Sequence, residues 1–112
     1  MRDNRVAGHN FERQIVKIFK ILGWDKACTS RFESKSKDAE KIDIMFVDPY
    51  NIQCKNKTTI INYNKILKEM PKDDNINVII HKKTKKSIAG KFLEEGIYVI
   101  MNSDDFYKLI KN

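Results

Sequence analysis

Cysteine and proline occur only twice each, glycine four times and tryptophan once in a chain of 112 residues. No internal repeat, linker or low-complexity tail is visible, and the few glycines and prolines stand where elements should end. Cys28 and Cys54 are too few for a disulfide scaffold and lack the paired spacing of a zinc site, so they read as buried free thiols. No apolar run approaches the roughly 20 residues of a membrane span. The start of the chain, MRDNRVAGHN, has no apolar centre and does not read as a signal peptide. These absences lead to the expectation of one intracellular, cytoplasmic domain over residues 1–112, away from membranes.

What is present is an ordinary globular balance, 41% hydrophobic and 33% charged residues, enough to bury a real core at this length. The charge is not balanced. Lys and Arg number 22 against 15 Asp and Glu, a net charge of +7. A polyanion partner such as nucleic acid fits this excess, because phosphate neutralisation releases counterions; a basic domain that is merely soluble fits it too.

Apolar residues Phe11, Ile15, Ile18, Phe19 and Leu22 recur at helical spacing, so a helix is expected over Asn10–Leu22 with Gly23 as its stop. Ala27–Phe32 reads as a short strand and the following ESKSKDAEK as a loop. Ile42–Val47 and Asn51–Lys55 read as strands of a hairpin. A helix is expected over Ile60–Met70, ended by Pro71, and a buried strand over Ile76–Ile80. The basic HKKTKKSIAGK should contain a short helix running to Glu95. After Gly96 come a strand over Ile97–Met101 and a last helix with Ser103 as N-cap. The order α-β-β-β-α-β-(α)-β-α gives an α/β fold, a central mixed sheet flanked by helices.

Four polar residues break this apolar pattern. On a wheel of about 100° per residue Glu12 falls inside the apolar arc of the first helix. It is either a site acid or a first-turn acid favoured by the helix dipole. Asp43 lies among Ile42, Ile44, Met45, Phe46 and Val47, where an unpaired carboxylate is costly. In the partner strand the two-residue period puts Gln53 and Lys55 on one face and Ile52 and Cys54 on the other. A two-residue turn at Pro49-Tyr50 would send Asp43 to the opposite side. A three-residue turn at Asp48-Pro49-Tyr50 would pair Met45 with Gln53 and Asp43 with Lys55, and that register, or an equivalent bulge, is the one expected here.

Such a set suits phosphodiester hydrolysis, which uses a divalent metal on oxygen ligands, an attacking water and positive charge near the phosphate. Asp43, the Gln53 amide oxygen and the backbone carbonyl of Cys54 would bind the ion, with Glu12 binding through water or holding a second one. Lys55 would orient or deprotonate the water and stabilise charge.

Glu12 on an opening helix, then IDI, then QCK, followed by helix and strand, resembles the PD-(D/E)xK nuclease superfamily, and GHNFERQIVKIFKILGW resembles the first helix of its Holliday junction resolvase branch. The resemblance covers roughly residues 8 to 80. It implies a restriction-endonuclease-like core, with Asp43 and Gln53 as metal ligands, Lys55 as catalytic lysine and Glu12 as accessory acid. It also implies Mg²⁺ as cofactor, with Mn²⁺ as substitute. Two departures stand out: Ile42 where the family name has proline, and Gln53 where Glu is usual.

Resolvases of this type are similar in a polar loop after the first helix that contacts phosphate; Thr29, Ser30, Arg31, Ser34 and Ser36 occupy its place. His81, Lys82, Lys83, Lys85, Lys86 and Lys91 read as a basic patch for the DNA backbone, with Lys57 beside them, or else as a solvated face. The expected function is therefore a metal-dependent DNA endonuclease, a resolvase of four-way junctions acting as a homodimer, since one chain supplies one site and symmetric cuts need two. The alternatives are a non-catalytic nucleic-acid-binding module on the same scaffold and a general or restriction-type nuclease. The lysine- and asparagine-rich composition would suit a phage genome.

Overall fold

The computed structural model describes residues 4–33, 36 and 40–111. In chain order these form α1 (Asn4–Ile21), β1 (Cys28–Thr29), the single helical turn α2 (Ser30–Glu33), β2 (Ile44–Met45) and β3 (Tyr50–Lys57). They continue with α3 (Tyr63–Glu69), β4 (Ile76–Lys86), β5 (Phe92–Ile100) and α4 (Ser103–Ile110). The strands make one open five-stranded sheet in the order β1-β2-β3-β4-β5. It is mixed: β3 and β4 are parallel and every other neighbouring pair is antiparallel. Among the described residues no helix is long and apolar enough to cross a membrane.

Part of the apolar stripe of α1 becomes core, whereas Ile18 and Leu22 of the expected stripe are 41% and 64% exposed. Phe11 and Ile15 are buried with Ala27, Ile44, Val47, Ile52, Val78 and Ile80, while Val16, Phe19 and Cys54 pack against them half-buried. Burying an aliphatic or aromatic side chain of this size contributes about 1.5–3 kcal/mol. Strand alternation then assigns the two faces of the sheet: Ile52, Cys54, Val78 and Ile80 face α1, and Gln53, Lys55, Ile79 and His81 face the other way. Gly23 stops α1 with a left-handed φ of 118°, a conformation that favours glycine, and Trp24 follows it. The Trp24 ring stands edge-on to Phe19 and Tyr50, at 5.4 and 6.2 Å, and its Nε1 donates to the Asp48 carbonyl at 2.9 Å.

Several boundaries differ from the sequence reading. α1 begins at Asn4 rather than Asn10, because its first turns are small and polar and carry no apolar signal. Only Cys28–Thr29 of the expected strand Ala27–Phe32 is extended; at Ser30 the chain turns into α2. The polar loop after it lies largely outside the described residues, Ser34 included. Only Ile44–Met45 of the expected strand Ile42–Val47 pairs, because Lys41 and Phe46 adopt left-handed φ values of 67° and 63° on either side of it. Nor are the cysteines fully buried: Cys28 and Cys54 are both half-buried.

The largest correction concerns the basic segment. The expected short helix between the last two strands is absent: β4 runs on to Lys86, a turn over residues 87–91 reverses the chain, and β5 starts at Phe92. Ser87 N donates to Lys91 O at 2.7 Å, Gly90 N to Ser87 O at 2.9 Å, and Gly90 has a φ of 82°. Lys82–Lys86 has no apolar periodicity to hold a helix on the sheet, whereas pairing with β5 satisfies its backbone groups. The last helix is capped by Asn102, whose side chain accepts from Asp104 N at 2.8 Å, so Ser103 is its first residue and not its cap.

Candidate functional site

The β2–β3 connection decides the site. Ile44 pairs with Ile52, and Tyr50 N donates to Val47 O at 3.1 Å, closing the turn over Val47, Asp48 and Pro49. This is one residue earlier than expected, because Tyr50 is drawn into β3, pairing with Ile76 of β4 and packing on Trp24. The ladder stops at Ile44: Asp43 lies just outside β2 and its N donates to Ile52 O, so the expected pairing of Asp43 with Lys55 does not form. Gln53 and Lys55 share a face of β3, and Asp43 meets that strand at the backbone amide of Cys54 between them.

Asp43 is held from several sides. Its N donates to Ile52 O at 2.7 Å, its carbonyl accepts from Ser30 N at 2.9 Å, and its Oδ2 accepts from Cys54 N at 2.8 Å. The side chain thus takes the place of a strand partner for β3 where β2 diverges, and it is only 7% exposed. Burial pushes the Cys54 thiol well above its ordinary pKa, and the nearby carboxylates of Asp43 and then Glu12 push it further the same way. Gln53 is equally buried, and its Oε1 has no hydrogen-bond partner. Lys55 is half-buried and its side chain makes no hydrogen bond or ion pair with a described residue.

Glu12 reaches the neighbourhood from α1, on the other face of the sheet from Gln53 and Lys55. It is 2% exposed, and both carboxylate oxygens accept from Arg31 Nε, at 3.2 and 3.0 Å. The pair borders a cavity of about 80 Å³ that His9, Arg13 and Thr29 also line. Arg31, expected at the DNA, bonds Glu12 through Nε while its side chain stays 41% exposed. Ser30, expected beside it, is fully buried with its hydroxyl unpartnered.

The expected basic patch is divided by strand alternation. Lys83 and Lys85 share the face of Lys55 and Lys57, while Lys82 and Lys86 share that of Cys54. Lys82 Nζ lies 5.9 Å over the Phe11 ring, and Lys83 Nζ bonds Glu95 Oε1 at 2.8 Å, which holds the Glu95 carboxyl below its usual pKa. Lys57, Lys85, Lys86 and Lys91 are exposed. His81 is no surface cation at all. It is 6% exposed, pairs in register with Lys55, and burial lowers its pKa against the opposing hydrogen bond to the Lys57 backbone. Its place beside Lys55 could have been read from the strand period had β4 been recognised beyond Ile80.

Among the described residues no three His, Cys, Asp or Glu side chains gather as a metal cluster. The expected donors, Asp43, the Gln53 amide and the Cys54 carbonyl, are all oxygen, and Glu12 is bonded to Arg31. Hard oxygen donors suit Mg²⁺, and the orphaned Gln53 oxygen is an acceptor that a cation would satisfy. No protein-family model, curated protein sequence or solved structure matches this chain.

Proposed function

We propose that this protein is a metal-dependent endodeoxyribonuclease of the PD-(D/E)xK kind, a resolvase that cuts four-way DNA junctions as a homodimer. One observation carries the reading. The Asp43 carboxylate is bonded to the Cys54 amide at 2.8 Å, with an unpartnered buried amide oxygen one residue before, on Gln53, and the uncommitted ammonium of Lys55 one residue after. The succession of α1, three antiparallel strands, α3 and a strand parallel to β3 supports the same core.

In this reading Asp43, Gln53 Oε1 and the Cys54 carbonyl hold Mg²⁺, which supplies Lewis-acid polarisation of the phosphate and a nucleophilic water near neutral pH. Lys55 lies within reach of the same phosphate and stabilises the negative charge that grows on it. The half-buried Glu12–Arg31 pair stiffens α1 against α2 and so fixes Ser30, whose amide positions Asp43. Lys57, Lys85 and Lys86 contribute sequence-independent attraction for the DNA backbone, which fits recognition of a junction by shape.

The test is cleavage of synthetic four-way junctions and linear duplexes in Mg²⁺ or Mn²⁺, with Lys55→Ala and Gln53→Glu beside the native chain. Junction cutting that Lys55→Ala abolishes and Gln53→Glu preserves or raises is the expected result. Binding without cutting in either metal would leave a nucleic-acid-binding module, and equal cutting of linear duplex a general or restriction-type nuclease.

A further inference from the structure

β5 has the residues of an interior strand and the position of an edge strand. Its last five residues, Gly96–Ile100, contain no charge and are apolar on both faces: Ile97 and Val99 point to the side of α1, Tyr98 and Ile100 to the other. Yet β5 ends the sheet, and Ile97, Tyr98 and Val99 are 36–62% exposed. Soluble proteins guard such edges with charge or with a bulge. Here those devices lie in the other half of the strand, where Glu95 is passed over in the pairing of Thr84 with Glu94 and Lys83 with Gly96. The helix that follows has no buried residue and exposes Phe106, Tyr107 and Ile110 at 47–59%.

We propose that the Gly96–Ile100 edge, with the α4 helix that follows it after Met101 and Asn102, is the seat of a second copy of the same chain, the two β5 strands pairing antiparallel about a twofold axis near Tyr98. An antiparallel strand is complementary to itself, so no second matching surface is needed. Both rows of unpaired backbone groups are satisfied at once and the sheet continues across the axis. Buried completely, the six large apolar side chains, about half exposed, would contribute on the order of 700 Å², close to the about 800 Å² per partner of a standard stable interface. A nucleic acid is the wrong occupant for an uncharged apolar edge, and the exposed lysines Lys57, Lys85 and Lys86 lie on β3 and β4 instead.

This seat rests on the homodimer of the proposed function, while cleavage by the native chain and by Lys55→Ala tests the Asp43 site separately, so a misplaced interface and an absent nuclease are distinguishable. Sedimentation equilibrium of the full chain at micromolar concentration should give twice its 13.2 kDa mass. Val99→Lys, at a 62% exposed position, should raise the dimer Kd about 100-fold or more while far-UV circular dichroism stays native. Ile88→Lys, on the fully exposed hairpin turn, should leave the mass unchanged. Tyr98→Cys should form an intermolecular disulfide on mild oxidation, because facing Cα atoms at the axis stand about 5 Å apart, and Ile88→Cys should not. A monomeric native chain, a Val99→Lys protein that is native by circular dichroism and still dimeric, or a dimer in which Tyr98→Cys does not cross-link would overturn the proposal.

Discussion

The carboxylate of Asp43 and the backbone amide of Cys54 are joined by a 2.8 Å hydrogen bond across the seam where β2 leaves β3. An asparagine can offer its side-chain oxygen to the same amide while removing the charge. Asp43→Asn should therefore keep the fold, shifting the thermal midpoint by only a few degrees, and lower metal-dependent cleavage at least about 100-fold. Asp43→Ala should instead cost about 1–3 kcal/mol, because it strips a buried N–H of its acceptor. Thermal unfolding followed by Trp24 fluorescence, beside a cleavage assay, separates the two effects.

The Glu12–Arg31 pair makes an asymmetric prediction. Glu12 has 3% of its side chain exposed and Arg31 has 41%, so the pair is only half screened. Arg31→Met removes the Nε donor from a buried carboxylate and should destabilise by about 2 kcal/mol, less than the 3–5 kcal/mol of a fully buried pair. The double variant Glu12→Gln/Arg31→Met should recover most of that loss. Denaturant unfolding of the four proteins in a double-mutant cycle measures it; strictly additive losses would refute the coupling.

Ile79 is 0% exposed on the sheet face opposite α1 and is paired in register with Gln53 and Ile100. Truncation to alanine opens a cavity that the flanking strands cannot close. A loss of about 2–5 kcal/mol is expected in urea unfolding, with Ile79→Val costing about 1 kcal/mol. The fully exposed Ile88 should lose almost nothing on the same change.

His81 predicts a direction in pH. Burial lowers its folded pKa from the ordinary 6.5, so between the two values the unfolded chain binds more protons than the folded one. Stability contributed by the neutral imidazole is then fully present above about 6.5, declines as pH falls below it, and levels off beneath the folded value. The slope from this one proton is at most about 1.4 kcal/mol per pH unit. Urea midpoints from pH 8 to pH 5 should show the decline, and His81→Gln should flatten it.

The long-range arrangement explains which parts of this were legible in the sequence. The stripe of α1 could be read because a helix buries residues at a period set by its own geometry, and the faces of Gln53 and Lys55 followed from the two-residue period of any strand. The reach of β4 could not. Lys82–Lys86 has neither apolar periodicity nor a turn signal, and its strand state is supplied by β3 on one side and β5 on the other. His81 was missed for a related reason: a cationic residue in a polar run reads as surface until the elements that bury it arrive from elsewhere in the chain, and the bond of the still exposed Arg31 to Glu12 is likewise long-range.

By itself, then, the sequence determined the α/β alternation, the buried face of α1 and the polar residues that interrupt apolar strands, because local periodicity and side-chain chemistry are carried by neighbouring residues. The tertiary structure alone decided that the turn closes at Val47–Pro49, that Asp43 bonds Cys54, that Glu12 is answered by Arg31, and that an apolar strand is left at the edge. Those outcomes depend on which distant groups meet and compete for the same hydrogen bonds and the same buried space.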